Sequence, residues 1–597
     1  MPALKWAADF ETTTDLNDCR VWAFSACEIG DPANFVYGTS IQDFMEWVES
    51  QKGNPKLWFH NAKFDCQFIM AWLFNNGFTY VEDKKDADDY TFTTLIGDTG
   101  AFYQMEIFFK YQRKVGKSGR KYNRVKKVTI YDSLKILNFS VAQIAKDFDL
   151  PIRKLELDYE TYREEGHELT KHEIDYIRND VEIMARALDF MFTNNMNKMT
   201  AASNAMNYFK KECCPKFKFL FPTLDKSIDD LIRRSYKGGF TYLNPIYTGK
   251  ETGAGMVLDA NSFHPSQMRY KMLPYGQPLE YEGKYTDDIF YPLYIQEIVC
   301  AFEIKKGKIP TIQLKHSFGF MPNEYIESSN GELVTLTLTS VDLELFLEHY
   351  NVYDLHYIRG WKFQGRKGIF DEYIDHFIAG KIKYKKEGNK AMTLIQKLQL
   401  NSLYGKFATS VSRACKKPYL DEDGVVRYEM YEGKERKPVY TAMASFITSY
   451  SRKEIIEFAQ HIRDWSLKYK GFDAYVYSDT DSVHALIDDN DLEILKADGL
   501  KVDDYILGYF KKESEFVRGK YLHAKCYLEL SPDGEKNVTV AGLPKHLAPL
   551  VTFENFKVGF STLDLDKDEI NKLGGNKLTY TYTKGGVVLT EVDFTIK

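Results

Sequence analysis

The sequence predicts a multidomain protein of mixed α/β and α+β architecture, and three observations carry that expectation. At 597 residues the chain exceeds one hydrophobic core several times over, so roughly three to five domains are expected. The first two hundred residues alternate short apolar strands with helical stretches, as an α/β unit does. Far downstream, Ala474 to His484 (AYVYSDTDSVH) reads as an antiparallel hairpin, with strand-forming Tyr475-Val476-Tyr477, turn-forming Ser478 to Asp481 and a return strand from Ser482.

Composition narrows the function classes. Aromatic residues make up 15% of the chain, with 41 Tyr and 41 Phe, a surplus that suits stacking on bases as well as core packing. A net charge of −6 excludes a uniformly basic coat but allows a basic channel around acidic catalytic sites. The eight cysteines are scattered with no C-x-x-C pair, and no N-terminal signal is seen, so a reducing compartment and no zinc ribbon are expected. No apolar run approaches the ~20 residues of a membrane span, and a soluble intracellular protein is expected.

At the N-terminus, strand alternation puts Asp9 and Glu11 on one face. Leu57 to His60 is a second apolar strand leading into Asn61-Ala62-Lys63-Phe64-Asp65 and an apolar helical stretch, Phe68 to Phe74. Thr170-Lys171-His172-Glu173 is a capping box opening a helix, on which Tyr176 and Asp180 share a face. Singly, these are solvated strand and helix ends. Together they resemble the DEDD-type 3′–5′ proofreading exonucleases, which have an RNase H-like fold. Hydrolysing a phosphodiester needs an activated water and a clamp on the leaving oxygen, which two metal ions ~3.5–4 Å apart supply. The resemblance implies that Asp9, Glu11, Asp65 and Asp180 hold two Mg²⁺ or Mn²⁺, that Tyr176 positions the water and that Lys154 steadies the scissile phosphate. It also implies that Thr12, Asn61, Phe64, Ser133 and Leu134 hold a frayed 3′ end. Arg113 to Lys127 carries eight basic residues in fifteen, either a solvated hairpin tip or a contact with template phosphates.

In the middle of the chain, Tyr236-Lys237-Gly238-Gly239 is a basic connector whose paired glycines allow close backbone approach, and it resembles the Y-x-G-G element of family B DNA polymerases. Met256 to Pro265 reads as a buried strand ending at Asp259, followed by a polar turn. It resembles the family segment D-x-x-S-L-Y-P, which implies Asp259 and Ala260 in the metal site and Ala260, Phe263 and His264 beside the incoming nucleotide. Phe263 and His264 depart from the family's leucine and tyrosine. The smaller, polar imidazole is expected to reject ribonucleotides less well. Lys381 to Gly405 is a basic helical stretch with Met392, Ile395, Leu398 and Leu403 on an apolar face. Its Lys397-x-x-x-Asn401-Ser402-x-Tyr404-Gly405 is close to the family's K-x-x-x-N-S-x-Y-G signature, which implies that Lys397, Asn401, Tyr404 and, with less weight, Lys383 bind the nucleotide.

Two stretches, one between Asp259 and the Asn401 helix and one near Val411 to Lys437, read by composition as loops and small sheets. Thr448 and Arg452 close the segment before the hairpin and, by resemblance, contact DNA. In the hairpin, Asp479 and Asp481 lie two apart, and two anions on one strand face repel unless a divalent cation lies between them. A surface turn accounts equally for an isolated D-x-D, while a calcium loop is excluded by Val483 and His484 at positions needing a ligand and a glycine. The family assigns Asp481 as metal ligand with Asp259, and Asp479 a supporting part. Lys525 and Tyr527 match its primer-gripping K-x-Y element, with Cys526 between them.

Over the whole length the chain resembles the protein-primed family B DNA polymerases of phages. That implies a 3′–5′ exonuclease domain over 1–199 and a right-hand polymerase: palm over 200–270 and 439–530, fingers over 361–410, thumb over 531–597. It also implies a terminal-protein insertion over 271–360 and a strand-displacement and processivity insertion over 411–438. The implied ligands are primer-template DNA, dNTPs, a terminal protein as primer and two Mg²⁺ or Mn²⁺ per active site. The implied setting is a monomeric viral enzyme in the host cytoplasm. Rival readings are a standalone nuclease with a DNA-binding remainder, a non-catalytic packaging or scaffold protein, and a reverse transcriptase. The last lacks its adjacent acid pair in Tyr477-Ser478-Asp479-Thr480-Asp481.

Overall fold

Alternation in the first strand, Lys5–Thr12, sends Trp6, Ala8 and Phe10 to one side and Ala7, Asp9 and Glu11 to the other. The computed structural model, which describes residues 4–115, 121–159, 161–313, 324–411, 413–433 and 435–597, places this strand near the centre of a large sheet. It runs antiparallel to Val21–Glu28 and parallel to Lys56–Phe59. Trp6 and Phe10 pack with Phe44 and Met45 of helix Ile41–Ser50 and Phe68 and Ile69 of helix Ala62–Asn75. Ala7 packs on the other side with Val181, Met184 and Leu188 of helix Lys171–Thr193, so both acids face that helix.

The sheet is completed from far along the chain. Its order from one edge is Val426–Gly433, Arg413–Leu420, Thr91–Gly97, Phe102–Val115, Lys121–Asp132, Lys56–Phe59, Lys5–Thr12, Val21–Glu28, Asp31–Gly38. The insertion expected as a separate small element is thus an annex of the N-terminal unit, joined by the pairs Cys415↔Gly97 and Lys416↔Ile96. An isolated hairpin cannot bury a face of its own, and Leu420, Val426 and Tyr428 find burial in the N-terminal core. A second hairpin, Lys577–Thr583 with Gly586–Val592, adds Val587 and Val588 to the same core. Gly586 sits so close to the Phe68 ring that a Cβ would not fit.

The downstream unit centres on an antiparallel sheet ordered Phe510–Phe516, Gly255–Ala260, Ser482–Ala485, Tyr475–Asp479, Thr241–Leu243. Leu258, Tyr475 and Val483 pack on Ile455, Ile456 and Ala459 of the long helix Thr441–Tyr469. Between these strands, Leu273–Glu282, Tyr350–Arg366, Leu293–Ile304 and Val334–Thr339 form a separate sheet. Its long strand pairs Leu273 with Arg366 and runs through residue 361, where the fingers were expected to begin. The expected boundary at 531 likewise falls inside the sheet Glu251–Thr252, Arg518–His523, Cys526–Leu530, Lys536–Val540. The helices Asp371–Lys386 and Lys390–Phe407 pack on each other, and Met392, Ile395 and Leu398 bury against the Met184 and Leu188 cluster of the N-terminal unit. Among the described residues, no helix is long and apolar enough to cross a membrane.

Candidate active sites

Helix Lys171–Thr193 starts at a reciprocal capping box, Thr170 with Glu173, which fixes its phase so that Tyr176 and Asp180 turn toward the sheet. There Asp9, Glu11 and Asp180 each bring a carboxylate oxygen to within 4.8 Å of the others. Asp65, in the first turn of helix Ala62–Asn75, is buried and lies outside that group of three, though its carboxyl feels the charge of Asp9. Burial first, and Asp180 second, push Asp9 up to about 7. Burial and the neighbouring Asp9 hold Glu11 and Asp65 well above the ordinary carboxyl range. Buried oxygens Asp65 Oδ1 and Asp180 Oδ1 have no hydrogen-bond partner. A cation stands beside them: Lys154 Nζ lies 2.6 Å from Asp180 Oδ2 and 5.4 Å from the Tyr176 ring centroid. Tyr176 itself is buried and hydrogen-bonds Tyr159.

The residues expected around a 3′ end surround this cluster unevenly. Thr12 lines a cavity of about 230 Å³ with Tyr159 and Arg163. Asn61 adopts a left-handed φ of 75° and donates from its side chain to the Tyr580 hydroxyl at 3.0 Å, while Phe64 packs near the same ring. Ser133 is buried, and its hydroxyl donates to the Phe59 carbonyl at 3.0 Å, so it braces the loop rather than facing out. Asp132, not expected from sequence, orders this corner by accepting from the Asn61 and Leu134 backbone N–H groups at 3.1 and 3.0 Å. Residues 116–120, in the middle of the basic run, lie outside the described residues, and its two ends belong to the paired strands Phe102–Val115 and Lys121–Asp132.

The second constellation sits at the end of the downstream sheet. Asp259 pairs in register with Ser482, and the Ala260 N–H donates to the Asp481 carbonyl at 2.8 Å. The remote aspartates are therefore neighbours. Burial first, and Asp481 next, push Asp259 up to about 6; burial also raises Asp481. Strand alternation does not account for Asp481, which is in the hairpin turn, after Thr480 at φ 61°; only Asp479 belongs to the strand. Asp479 is occupied elsewhere, with Lys525 Nζ at 3.0 Å and Thr241 Oγ1 at 3.1 Å. Tyr527 stacks on Tyr521 next to Tyr477.

Among the residues expected at the nucleotide, His264 is buried and its ring centroid lies 4.2 Å from that of Tyr404; burial lowers the imidazole to about 4, so it is neutral at pH 7. Phe263, expected beside the nucleotide, is a core residue packed on Phe510. Lys397 and Asn401 are exposed on helix Lys390–Phe407. Lys383 is also exposed and lies over the Tyr384 ring. Lys381, two residues earlier on helix Asp371–Lys386 and not singled out from sequence, carries a charge that reaches Asp259, and its Nζ is 3.5 Å from Ser262 Oγ. Lys511, on the neighbouring strand, lies 3.8 Å from Asp259 Oδ1. Only the pairing of strands far apart in the chain reveals it.

Two residues expected on DNA are internal. Thr448 is buried and its hydroxyl bonds back to the Ala444 carbonyl at 3.0 Å. Arg452 is buried too, pairs with Asp342 at 2.7 Å and donates to the Lys237 and Gly238 carbonyls at 2.9 Å each. It holds the Tyr236–Gly239 connector in shape from behind.

Known proteins match this architecture from end to end. The family described as DNA polymerase type B, organellar and viral, matches residues 48–491. The DNA polymerase of Bacillus phage B103 is 42% identical, with all of both chains covered, and that of Streptococcus phage Cp-1 is 31% identical over 99% of this chain and 98% of its own. The solved structure of the phi29 DNA polymerase with primer-template DNA and incoming nucleotides superposes with a TM-score of 0.88 at 40% identity, covering all of both chains. This chain belongs to the type B DNA polymerases of organelles and viruses and is a DNA-directed DNA polymerase.

Proposed function

We propose that the protein is the replicative polymerase of a phage. It extends a DNA primer from dNTPs at the Asp259/Asp481 site, begins synthesis on a hydroxyl of a terminal protein, displaces the strand ahead and trims mismatched 3′ ends at the Asp9/Glu11 site. The observation that carries the reading is the adjacency of Asp259 and Asp481 next to the charges of Lys381 and Lys511, with Lys397 beside Lys381, acids and cations in the company that a metal–triphosphate complex requires. DNA and dNTPs as ligands are supported by the phi29 enzyme, solved with both. Terminal-protein priming and strand displacement rest on the family resemblance and on the two inserted elements, and action in the host cytoplasm rests on the phage origin of the relatives.

The residues fit divalent cations at both sites. Buried carboxylates that repel one another and orphaned oxygens on Asp65 and Asp180 offer an all-oxygen donor set, which suits Mg²⁺ or Mn²⁺. Bound there in pairs, such ions would lower the pKa of the attacking hydroxyl or water and take up charge on the leaving oxygen. The protein's own part in synthesis is positional: Asp259 and Asp481 hold the metals, and Lys381 and Lys397 neutralise the triphosphate. The tilted His264–Tyr404 ring pair forms the floor for the incoming sugar and base, and Lys525 and Tyr527 grip the primer. In hydrolysis, Asp9, Glu11, Asp65 and Asp180 hold metal, Tyr176 orients the water and Lys154 meets the scissile phosphate.

The division is tested by paired variants assayed for primer extension and for degradation of single strands. Asp481→Ala abolishes extension and leaves degradation; Asp9→Ala with Glu11→Ala does the reverse. A folded variant of either kind that loses both activities contradicts the division. Extension of a primed circular single strand without helicase or clamp, giving products longer than the circle, tests strand displacement.

A further inference from the structure

Away from both carboxylate sites, the chain between the N-terminal unit and the palm strands folds into a short helix, Phe217–Leu220, beside a cavity of about 670 Å³. Lys210, Lys216, Lys218, Lys437, Phe217 and Phe219 are among its lining residues, and no carboxylate is. None of these lysines is ion-paired among the described residues. Lys210 Nζ lies 4.2 Å from the Phe217 ring centroid, and burial with the Lys218 charge lowers its pKa, as expected for cations crowded without a counter-ion. Phe219 is 75% exposed, a whole ring held out beside those ammonium groups.

We propose that this cleft is a binding station for single-stranded DNA, with the lysines on the phosphates and Phe219 under a base. The chemistry is complementary on both counts: unpaired cations track a phosphate backbone, and a free ring accepts any base on its face. Its place is also apt. Phe221 packs on Phe407, at the end of the helix that carries Tyr404, and on Tyr440, at the start of helix Thr441–Tyr469. Lys437 lies on the segment leaving the Arg413–Gly433 hairpin. A strand passing between the catalytic sheet and that hairpin would therefore run beside the cleft.

The test compares the full-length wild type with a Phe219→Ala, Lys216→Ala, Lys218→Ala variant by fluorescence anisotropy on three primed duplexes: one with a short template extension, one with a long one and one with a displaced 5′ flap. The variant is expected to lose about tenfold in affinity on the substrate whose single strand occupies the cleft, with the salt slope falling by roughly 0.7 for each phosphate that no longer meets a lysine. Binding of the short-extension duplex and single-nucleotide incorporation stay unchanged. Loss confined to the long extension assigns the cleft to incoming template, and loss confined to the flap assigns it to the displaced strand. A variant that binds all three as the wild type does, or weakens on all three alike, overturns the proposal. Phe219→Trp retains wild-type affinity, and its falling to the level of Phe219→Ala refutes stacking.

Discussion

Replacing Arg452 with alanine removes a fork that serves two segments at once. The guanidinium meets Asp342 through Nε at 3.2 Å and Nη2 at 2.7 Å, with side chains 3% and 13% exposed, and caps the Lys237 and Gly238 carbonyls through Nη1. Deleting one member of a buried ion pair costs about 3–5 kcal/mol, because the remaining charge loses its partner. The two carbonyls add to this, at about 1 kcal/mol each where water does not reach them. A net loss of about 6 kcal/mol is expected, seen as a thermal midpoint lowered by at least ~5 °C at a fixed scan rate. Primer-template affinity falls with it, since the Tyr236–Gly239 connector loses its rear support. Adding Asp342→Ala to Arg452→Ala recovers part of the stability by removing the stranded carboxylate, and Arg452→Lys keeps the charge without the fork and lands between. An Arg452→Ala protein melting within ~1 °C of the wild type refutes the assignment of this arginine as an internal clamp.

Three further outcomes follow from the sites. A carboxyl raised to about 7 when folded, from 3.8 when unfolded, destabilises the metal-free protein: the penalty is absent below pH 3.8, builds through that window and is complete above it. Asp9→Asn therefore raises the metal-free melting point at pH 8, by a margin that shrinks as the pH falls toward 4, whereas Mg²⁺ stabilises the wild type more than the variant; a variant less stable at pH 8 contradicts this. His264→Tyr increases discrimination between dNTPs and rNTPs in single-turnover incorporation, and equal ratios in the two proteins remove the role given to the imidazole. Lys381→Ala raises the KM for dNTPs by about tenfold and Lys383→Ala does so by less, as expected for one charge-assisted phosphate contact of about 1.5 kcal/mol; the opposite order restores Lys383 to the site.

Local chemistry was legible and long-range partnership was not. The capping box at Thr170, the Asp9/Glu11 strand face and the Tyr475–Ala485 hairpin are decided by residues within a few positions, and each lies where its pattern indicates. Asp481 belongs to the site for a different geometric reason than alternation, because a turn residue at its threshold breaks the period of two. The choice between Lys381 and Lys383 depends on helix phase, which a run of lysines obscures. Arg452 reads, by resemblance, as a DNA contact until Asp342, on another element, is packed against it. Likewise, nothing in residues 411–438 or 577–592 announces that both hairpins belong to the N-terminal core, since an edge pairing of two register positions leaves no compositional trace.

That late closure of the first sheet bears on how the protein is made. The strand Thr91–Gly97 leaves the ribosome long before its neighbour Arg413–Leu420, and at about 5–20 residues per second its open side waits tens of seconds for cover. A nascent N-terminal unit in that interval presents bare backbone amides to other chains, so slowed translation or truncation ahead of residue 413 should favour clumping over soluble fragment.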